Sequence, residues 1–397
     1  MKKMIYLDNA ATTPTAPEVI EAMLPFYEDR YGNPSALYDF GQAGRTAVEE
    51  ARKIIADSIG ALPEEIYFTA GGSESDNWAL KSTAENLGMR GRHIITSKIE
   101  HHAVLKTCDY LEQQGYDITY LDVDEHGVVT PEAVKREIRP ETVLISVMTA
   151  NNEIGTIEPI EKIGALAHRY GICFHTDAVQ AYGHIPIHVD AMHIDMLSAS
   201  AHKFNGPKGV GFLYVRNSKR IPPLIHGGAQ ERANRAGTEN VPGIVGMGKA
   251  AYLAHRTMRE RAAQEMRMRD YLIYSILKHI PRARLNGDWT NRLPNNADFC
   301  FAGIEGGNLL IMLDMDGICA SAGSACSAGS GGVSHVLTAI GVEPSVARGA
   351  LRLTLNEQFT LHDADYVVAS IRKNIEILRK KAGEEAVITL DETQDAR

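Results

Sequence analysis

The chain has 397 residues, 44% of them hydrophobic and 23% charged, with a net charge of −9. That is enough apolar material for a large core, and one large plus one smaller domain is the natural division. The acidic balance gives no electrostatic reason to expect nucleic acid or an anionic membrane as partner, which leaves small molecules and proteins. After the charged start Met1-Lys2-Lys3 no signal-peptide-like apolar stretch follows, and no run of about 18 apolar residues occurs, so a cytoplasmic location is expected. The five cysteines, Cys108, Cys173, Cys300, Cys319 and Cys326, are odd in number and widely spaced, which fits neither a disulfide framework nor a zinc pattern.

In chain order, Ala16 to Arg30 and Ala43 to Ile59 read as helices, the second with Val48, Ala51, Ile55 and Ile59 on one stripe. Short apolar strands then alternate with helix-like segments: Ile66 to Thr69, His93 to Thr96, Ile118 to Leu121, Val143 to Val147, Ile172 to His175, Ile194 to Leu197 and Val210 to Val215. Such alternation predicts an α/β fold around a seven-stranded, mostly parallel sheet. From Lys249 to Ile280 the pattern is one charged helix, with Ala254, Met258, Ala262 and Met266 at four-residue steps, reaching on the order of 45 Å. It predicts a bridge between a large domain over 15–255 and a smaller α+β domain made of 1–14 and 256–383. Strands at Asn296 to Phe301 and Ala350 to Leu355, and a helix from Leu361 to Lys381 capped by Thr360, belong to the smaller part. The polar, acidic stretch 384–397 reads as a flexible tail.

Ligands of parallel sheets gather beyond the carboxyl ends of the strands, so the residues there carry the functional reading. After the first strand, Ala70-Gly71-Gly72-Ser73-Glu74-Ser75-Asp76-Asn77 opens a helix with glycines and hydroxyls, which suits either a phosphate on backbone N–H groups or a plain cap. Glu100-His101-His102 follows the second, Asn151-Asn152-Glu153 the fourth, and Asp177-Ala178-Val179-Gln180 the fifth. After the sixth comes Ser200-Ala201-His202-Lys203-Phe204-Asn205-Gly206. A lysine there is either a surface residue of a hairpin or an amine poised for a Schiff base, and burial would depress its pKa toward reactivity. A phosphate cup, a stacking ring, an amide, an anion for a pyridinium and an amine for an aldehyde are together the parts that pyridoxal phosphate requires.

With these motifs in this order, from Tyr6-Leu7-Asp8-Asn9-Ala10-Ala11-Thr12-Thr13 to about Asn356, the chain resembles the cysteine desulfurases of the class V aminotransferase group, particularly the nitrogen-fixation and iron–sulfur-assembly type. The resemblance implies the type I fold of pyridoxal-phosphate-dependent transferases and a homodimer. It implies that Lys203 binds the cofactor covalently and shuttles protons, that His101 stacks on its ring and that Asp177 pairs with the ring nitrogen. Gln180 and Asn152 would contact the ring hydroxyl or the substrate. Gly72, Ser73, Ser200 and His202 would hold the phosphate, joined by Thr238 from the neighbouring subunit.

Two further features select the reaction. Arg352, in Leu351-Arg352-Leu353-Thr354, is suited to bidentate capture of an amino-acid carboxylate, though a surface arginine in an edge strand reads the same way. Cys326 lies in Ser321-Ala322-Gly323-Ser324-Ala325-Cys326-Ser327-Ala328-Gly329-Ser330-Gly331-Gly332, a composition that predicts a mobile loop rather than a packed thiol. In the resembled family such a cysteine takes sulfur from L-cysteine as a persulfide and hands it to an acceptor, such as an iron–sulfur scaffold or a thiolation enzyme. Cys108, Cys173 and Cys300 read as buried inert thiols, and Cys319 has no assigned role.

Ser73 stands where that family commonly has threonine, and Gly331-Gly332-Val333 replaces a Leu-Glu-Pro-like segment. Gly243-Ile244-Val245-Gly246-Met247-Gly248-Lys249-Ala250 nearly matches a P-loop, but it follows no strand and lacks the final hydroxyl, so it reads as a helix start. His184 and His188 flank Pro186 and do not share a helical face, which argues against zinc, and no metal site is expected. The competing readings are a selenocysteine lyase, another enzyme of the class V fold, and a non-catalytic sulfur carrier.

Overall fold

The computed structural model describes residues 4–217, 219, 221–323 and 333–383. Its strands, in chain order, are β1 (Ile5–Tyr6), β2 (Ile66–Thr69), β3 (His93–Ser97), β4 (Asp117–Leu121), β5 (Thr142–Ser146) and β6 (Cys173–Asp177), followed by β7 (Met196–Ser200), β8 (Gly211–Val215), β9 (Ala283–Asn286), β10 (Asn296–Phe301), β11 (Ile318–Cys319) and β12 (Ala350–Thr354). Seven of them form one sheet in the order β2-β8-β7-β6-β5-β3-β4. All neighbours in it are parallel except those of β8, which opposes both β2 and β7. The connection from β7 to β8 is too short for a crossover helix, and a short connection forces an antiparallel return. The strands that read as continuous apolar runs do so because β3, β5, β6, β7 and β8 are buried along their whole length.

Helices cover both faces. On one side Val48, Ile55, Phe174, Phe212, Met247 and Ala251 join the helix Asp39–Ile59 and the long helix Val241–His279 to the sheet. On the other, Trp78, Leu80, Val104 and Leu111 of the helices Gly72–Leu87 and His102–Gln113 pack on Ile94, Leu144 and Met196. A separate apolar cluster gathers Ile5, Leu7, Leu272, Ile276, Phe299, Leu351 and Val367 around the sheet β12-β10-β9. The long helix supplies Ala250 and Ala251 to the first cluster and Leu272 and Ile276 to the last, so it runs from one core into the other. The near P-loop lies in its opening turns, at whose start the Asn240 side chain accepts from Gly243 N–H at 3.2 Å.

Several local expectations need correction. Ala16 to Arg30 is not one helix but two, Pro17–Met23 and Pro25–Glu28, because Pro25 cannot donate to the preceding turn and its ring crowds it. The long helix begins at Val241, and its row of four-residue steps leaves the core: Ala254 and Met258 are buried, whereas Met266 is 40% exposed. A step of four outruns 3.6 residues per turn, so the apolar stripe shifts to Leu272, Ile273 and Ile276. The strand expected at Ile194 to Leu197 is displaced to Met196–Ser200, and the strand Ala283–Asn286 was not expected.

Candidate active site

Lys203 stands on a one-turn helix, Ala201–Lys203, directly after β7. The turn is tight: a Cβ at Gly206 would lie 2.8 Å from Ala201, and Phe204 is buried against the ring of Tyr182 at 4.9 Å. His184, which burial holds neutral by pushing it down to about 4, braces the turn by donating to the Lys203 carbonyl at 3.0 Å. The Lys203 ammonium donates to the carbonyls of Ala10 and Ala11 at 2.5 and 2.9 Å. Burial first, and then the Arg352 guanidinium, push its pKa down to about 8. Ala10 is itself held by its N–H to Thr354 Oγ1 at 2.9 Å, so the N-terminal segment ties β12 to the lysine turn.

Asp177, the last residue of β6, is buried, and its Oδ1 accepts from Val179 N–H at 2.8 Å. Burial raises its pKa, opposed by the nearby His101 and Lys203. His101 caps the helix His102–Gln113, its Nδ1 accepting from Ala103 N–H at 3.1 Å. That bond assigns the ring proton of the neutral imidazole to Nε2, and burial lowers the pKa so that the neutral form prevails. At the start of the helix Gly72–Leu87, a Cβ on Gly72 would lie 2.5 Å from Val179 Cγ2, so only glycine lets this helix end approach the loop after Asp177. The remaining polar side chains are similarly fastened: His202 Nδ1 to Thr12 Oγ1 at 3.1 Å, and Gln180 Nε2 to the Ala10 carbonyl at 2.9 Å.

Arg352 is not a surface residue. It is 3% exposed, pairs with Asp8 at 2.8 Å, and donates to the carbonyls of Asn152 at 2.8 Å and Gly323 at 3.2 Å. Its Nε has no hydrogen-bond partner among the described residues.

Gly72, Ser73, His101, Asn152, Asp177, Gln180, Ser200, His202, Lys203 and Arg352 all line one cavity of about 340 Å³. Thr238 does not line it and is exposed. Cys326 lies outside the described residues, but Gly323 lines the cavity and Ser334 donates to buried Glu153 at 2.5 Å. Three other cysteines behave as expected of packed thiols: Cys108, Cys173 and Cys300 are buried, with burial pushing the last two up to about 12, whereas Cys319 is half-buried.

Sequence reasoning passed over Asp8, Asp76, Glu153 and His335, although the cavity or its walls use each. Glu100, buried and pushed up to about 8 by desolvation, was also passed over; it joins two strand ends by accepting from Ser97 Oγ at 2.7 Å and Met148 N–H at 3.0 Å. All but Asp8 and His335 follow strand ends within quoted motifs, which was the available signal.

The family model for Aminotransferase class-V matches residues 5–367. The cysteine desulfurase IscS of Dictyoglomus turgidum is 53% identical over 379 residues, covering 96% of each chain. The enzyme of the same name from Methanosarcina thermophila is 53% identical, covering 95% of this chain and 93% of its own. Among solved structures, a NifS-like protein superposes with a TM-score of 0.89 at 39% identity, covering 95% of this chain and all of the other. SspA in complex with cysteine gives 0.80 at 40% identity, over 89% of this chain and 99% of the other. With the fold, the strand-end constellation and these likenesses in agreement, the chain belongs to the class-V aminotransferase family.

Proposed function

We propose that this protein is a cysteine desulfurase that uses pyridoxal phosphate to convert L-cysteine to L-alanine, leaving the sulfur as a persulfide on Cys326. The observation that carries this reading is Lys203: a buried amine, pushed down to about 8, that lines the same cavity as Asp177 and Arg352. The residues fit the cofactor, since a helix N-terminus bearing Gly72 and Ser73, a buried carboxylate and the Lys203 amine all open on the same cavity. The relatives named above support both the activity and the substrate.

When bound, the cofactor supplies an aldehyde for an amine and a protonated ring that draws electrons from the substrate. Lys203 Nζ is the amine and the base that moves the substrate proton. Asp177 favours the protonated ring nitrogen, and neutral His101 stacks on the ring. Gly72 N–H, Ser73, Ser200 and His202 hold the phosphate. Asn152 and Gln180 contact the ring hydroxyl or the substrate, and Arg352 takes the substrate carboxylate. In the net reaction the Cβ–Sγ bond of L-cysteine breaks, an S–S bond forms to Cys326, and the thiol proton is retained in the carbon product: cysteine plus protein thiol gives alanine plus protein persulfide.

The same reading includes a homodimer, in which Thr238 serves the partner's phosphate site; its exposure and its place outside its own cavity support this. It includes a cytoplasmic location, a division into 15–255 and 1–14 with 256–383, and delivery of sulfur to an acceptor protein of iron–sulfur assembly or thiolation. No helix among the described residues is long and apolar enough to cross a membrane.

The test is Cys326→Ala in cofactor-loaded protein. Persulfide formation should stop while the visible absorbance of Lys203-bound cofactor persists. Normal turnover of L-cysteine by this variant, or accumulation of a 2-oxo acid in its place, would sink the reading.

A further inference from the structure

Beside Asp177 lies a second buried carboxylate that the reaction above does not use. Asp76 is in the second turn of the helix Gly72–Leu87, is 1% exposed, and lines the cavity. One oxygen of Asp76, one of Asp177 and one ring nitrogen of His101 lie within 4.8 Å of one another. Among the described residues neither acid forms an ion pair with lysine or arginine. The neighbour closest in kind is His175 Nε2, 3.7 Å from Asp76 Oδ1, and burial pushes that imidazole down to about 3, so it is neutral. Glu100 adds a further acid to the Asp76 surroundings, and Lys203 acts on Asp177.

Two buried carboxyl groups this close disfavour a second charge, so that one keeps a proton. Their surroundings favour the proton on Asp76. Ser146 Oγ meets His175 Nδ1 at 2.9 Å, and His175 Nε2 meets Ser198 Oγ at 3.0 Å. With the ring proton on Nε2, the Ser198 hydroxyl accepts from His175 and its own proton can go to Asp76, a contact that favours the carboxylate but is outweighed by burial and by the charge of Asp177. Asp76 Oδ1 has no hydrogen-bond partner among the described residues. A bare, buried carboxylate oxygen is costly, whereas a protonated one is not charged and becomes a donor. Asp177, by contrast, has both the Val179 N–H and the nearby Lys203 ammonium to stabilise its anion, whereas no cation among the described residues acts on Asp76.

We propose that Asp76 is an uncharged positioning residue, which keeps the proton of the Asp76–Asp177 pair so that Asp177 alone carries the negative charge offered to the cofactor's ring nitrogen. The idea rests on the pyridoxal-phosphate reading, but its first test does not. In infrared difference spectra of wild type against Asp76→Asn at neutral pH, with the chain stripped of cofactor and again with pyridoxal phosphate bound, wild type should show an extra carboxylic-acid C=O band. Raising the pH should convert that band to carboxylate in wild type, with no counterpart in the variant. An extra carboxylate band at neutral pH would overturn the proposal.

The second test compares pyridoxal phosphate affinity. Asp76→Ala, which leaves Ser198 without its acceptor, should weaken binding about 10-fold, and Asp76→Asn, a neutral isostere, should restore it to within about 3-fold. Equal losses in both variants would show that charge matters, and no loss in either that the residue is idle; each contradicts the proposal. Failure of wild type itself to bind the cofactor would instead refute the functional reading and leave the stripped-chain spectra to decide the state of Asp76.

Discussion

Two places in this molecule bury ionisable side chains to the same depth and leave them in opposite states. Arg52 and Glu231 have side chains each 3% exposed and are joined by two parallel hydrogen bonds at 2.8 and 2.9 Å. Glu231 also accepts from Phe68 N–H at 3.0 Å, and Arg52 donates to the Ile66 carbonyl at 2.8 Å and lies over the Phe68 ring. That pair holds a left-handed turn in which Glu231, Arg232 and Ala233 have φ of 44°, 57° and 62°. Asp76 and Asp177 are two carboxyl groups side by side, with Asp76 Oδ1 unpartnered among the described residues and the cavity beside them. The difference separates a fastening from a reaction site: satisfied charges hold backbone in place, and unsatisfied ones await a ligand.

The largest expected effect lies on the cavity side. Lys203→Ala should lower alanine formation by at least about 10³-fold, the scale of losing a positioned proton-transfer group, with little change in the urea midpoint. On the fastening side the signature is reversed. Arg52→Ala leaves Glu231 buried and unpaired and should cost about 3–5 kcal/mol in denaturant unfolding, with turnover of the folded fraction preserved. If Arg52→Ala changed turnover while stability held, the distinction between the two regions would be broken.

The pH dependence sharpens the contrast. Only the neutral amine attacks an aldehyde, so a Lys203 pushed down to about 8 makes capture of pyridoxal phosphate by the stripped chain pH-dependent. Its rate should fall about tenfold per pH unit below that value and level off above it, whereas an ordinary lysine would still be gaining rate toward pH ~10. A rate still climbing steeply above pH 9 would show an unperturbed amine. The smallest effect expected is for Arg352→Lys, which keeps the charge but loses the planar fork: kcat/KM for L-cysteine should fall about 30-fold, chiefly through KM.

Much of this was legible in the chain because the physics was local. Strands such as β5 and β7 are buried on both faces and read as short apolar runs, and Thr360 with Asp363 announces the last helix by reciprocal capping at 3.2 Å. The strands β9 and β11 escaped because Ala283-Arg284-Leu285-Asn286 and the pair Ile318–Cys319 are too short or too polar to carry a pattern. At the site, Lys203, Asp177 and His101 declared themselves by following strand ends. Asp76 sat in a quoted motif without a role, because its meaning comes from Asp177, which is far along the chain and adjacent only after folding. His184 was considered only for zinc, yet it braces the carbonyl of Lys203.

The most direct measurement is to give the cofactor-loaded protein L-cysteine and a reductant and to assay alanine and sulfide together. Desulfuration of L-cysteine requires both in equal amounts, and both to be lost in Lys203→Ala. Neither product from fully loaded wild-type protein would contradict it.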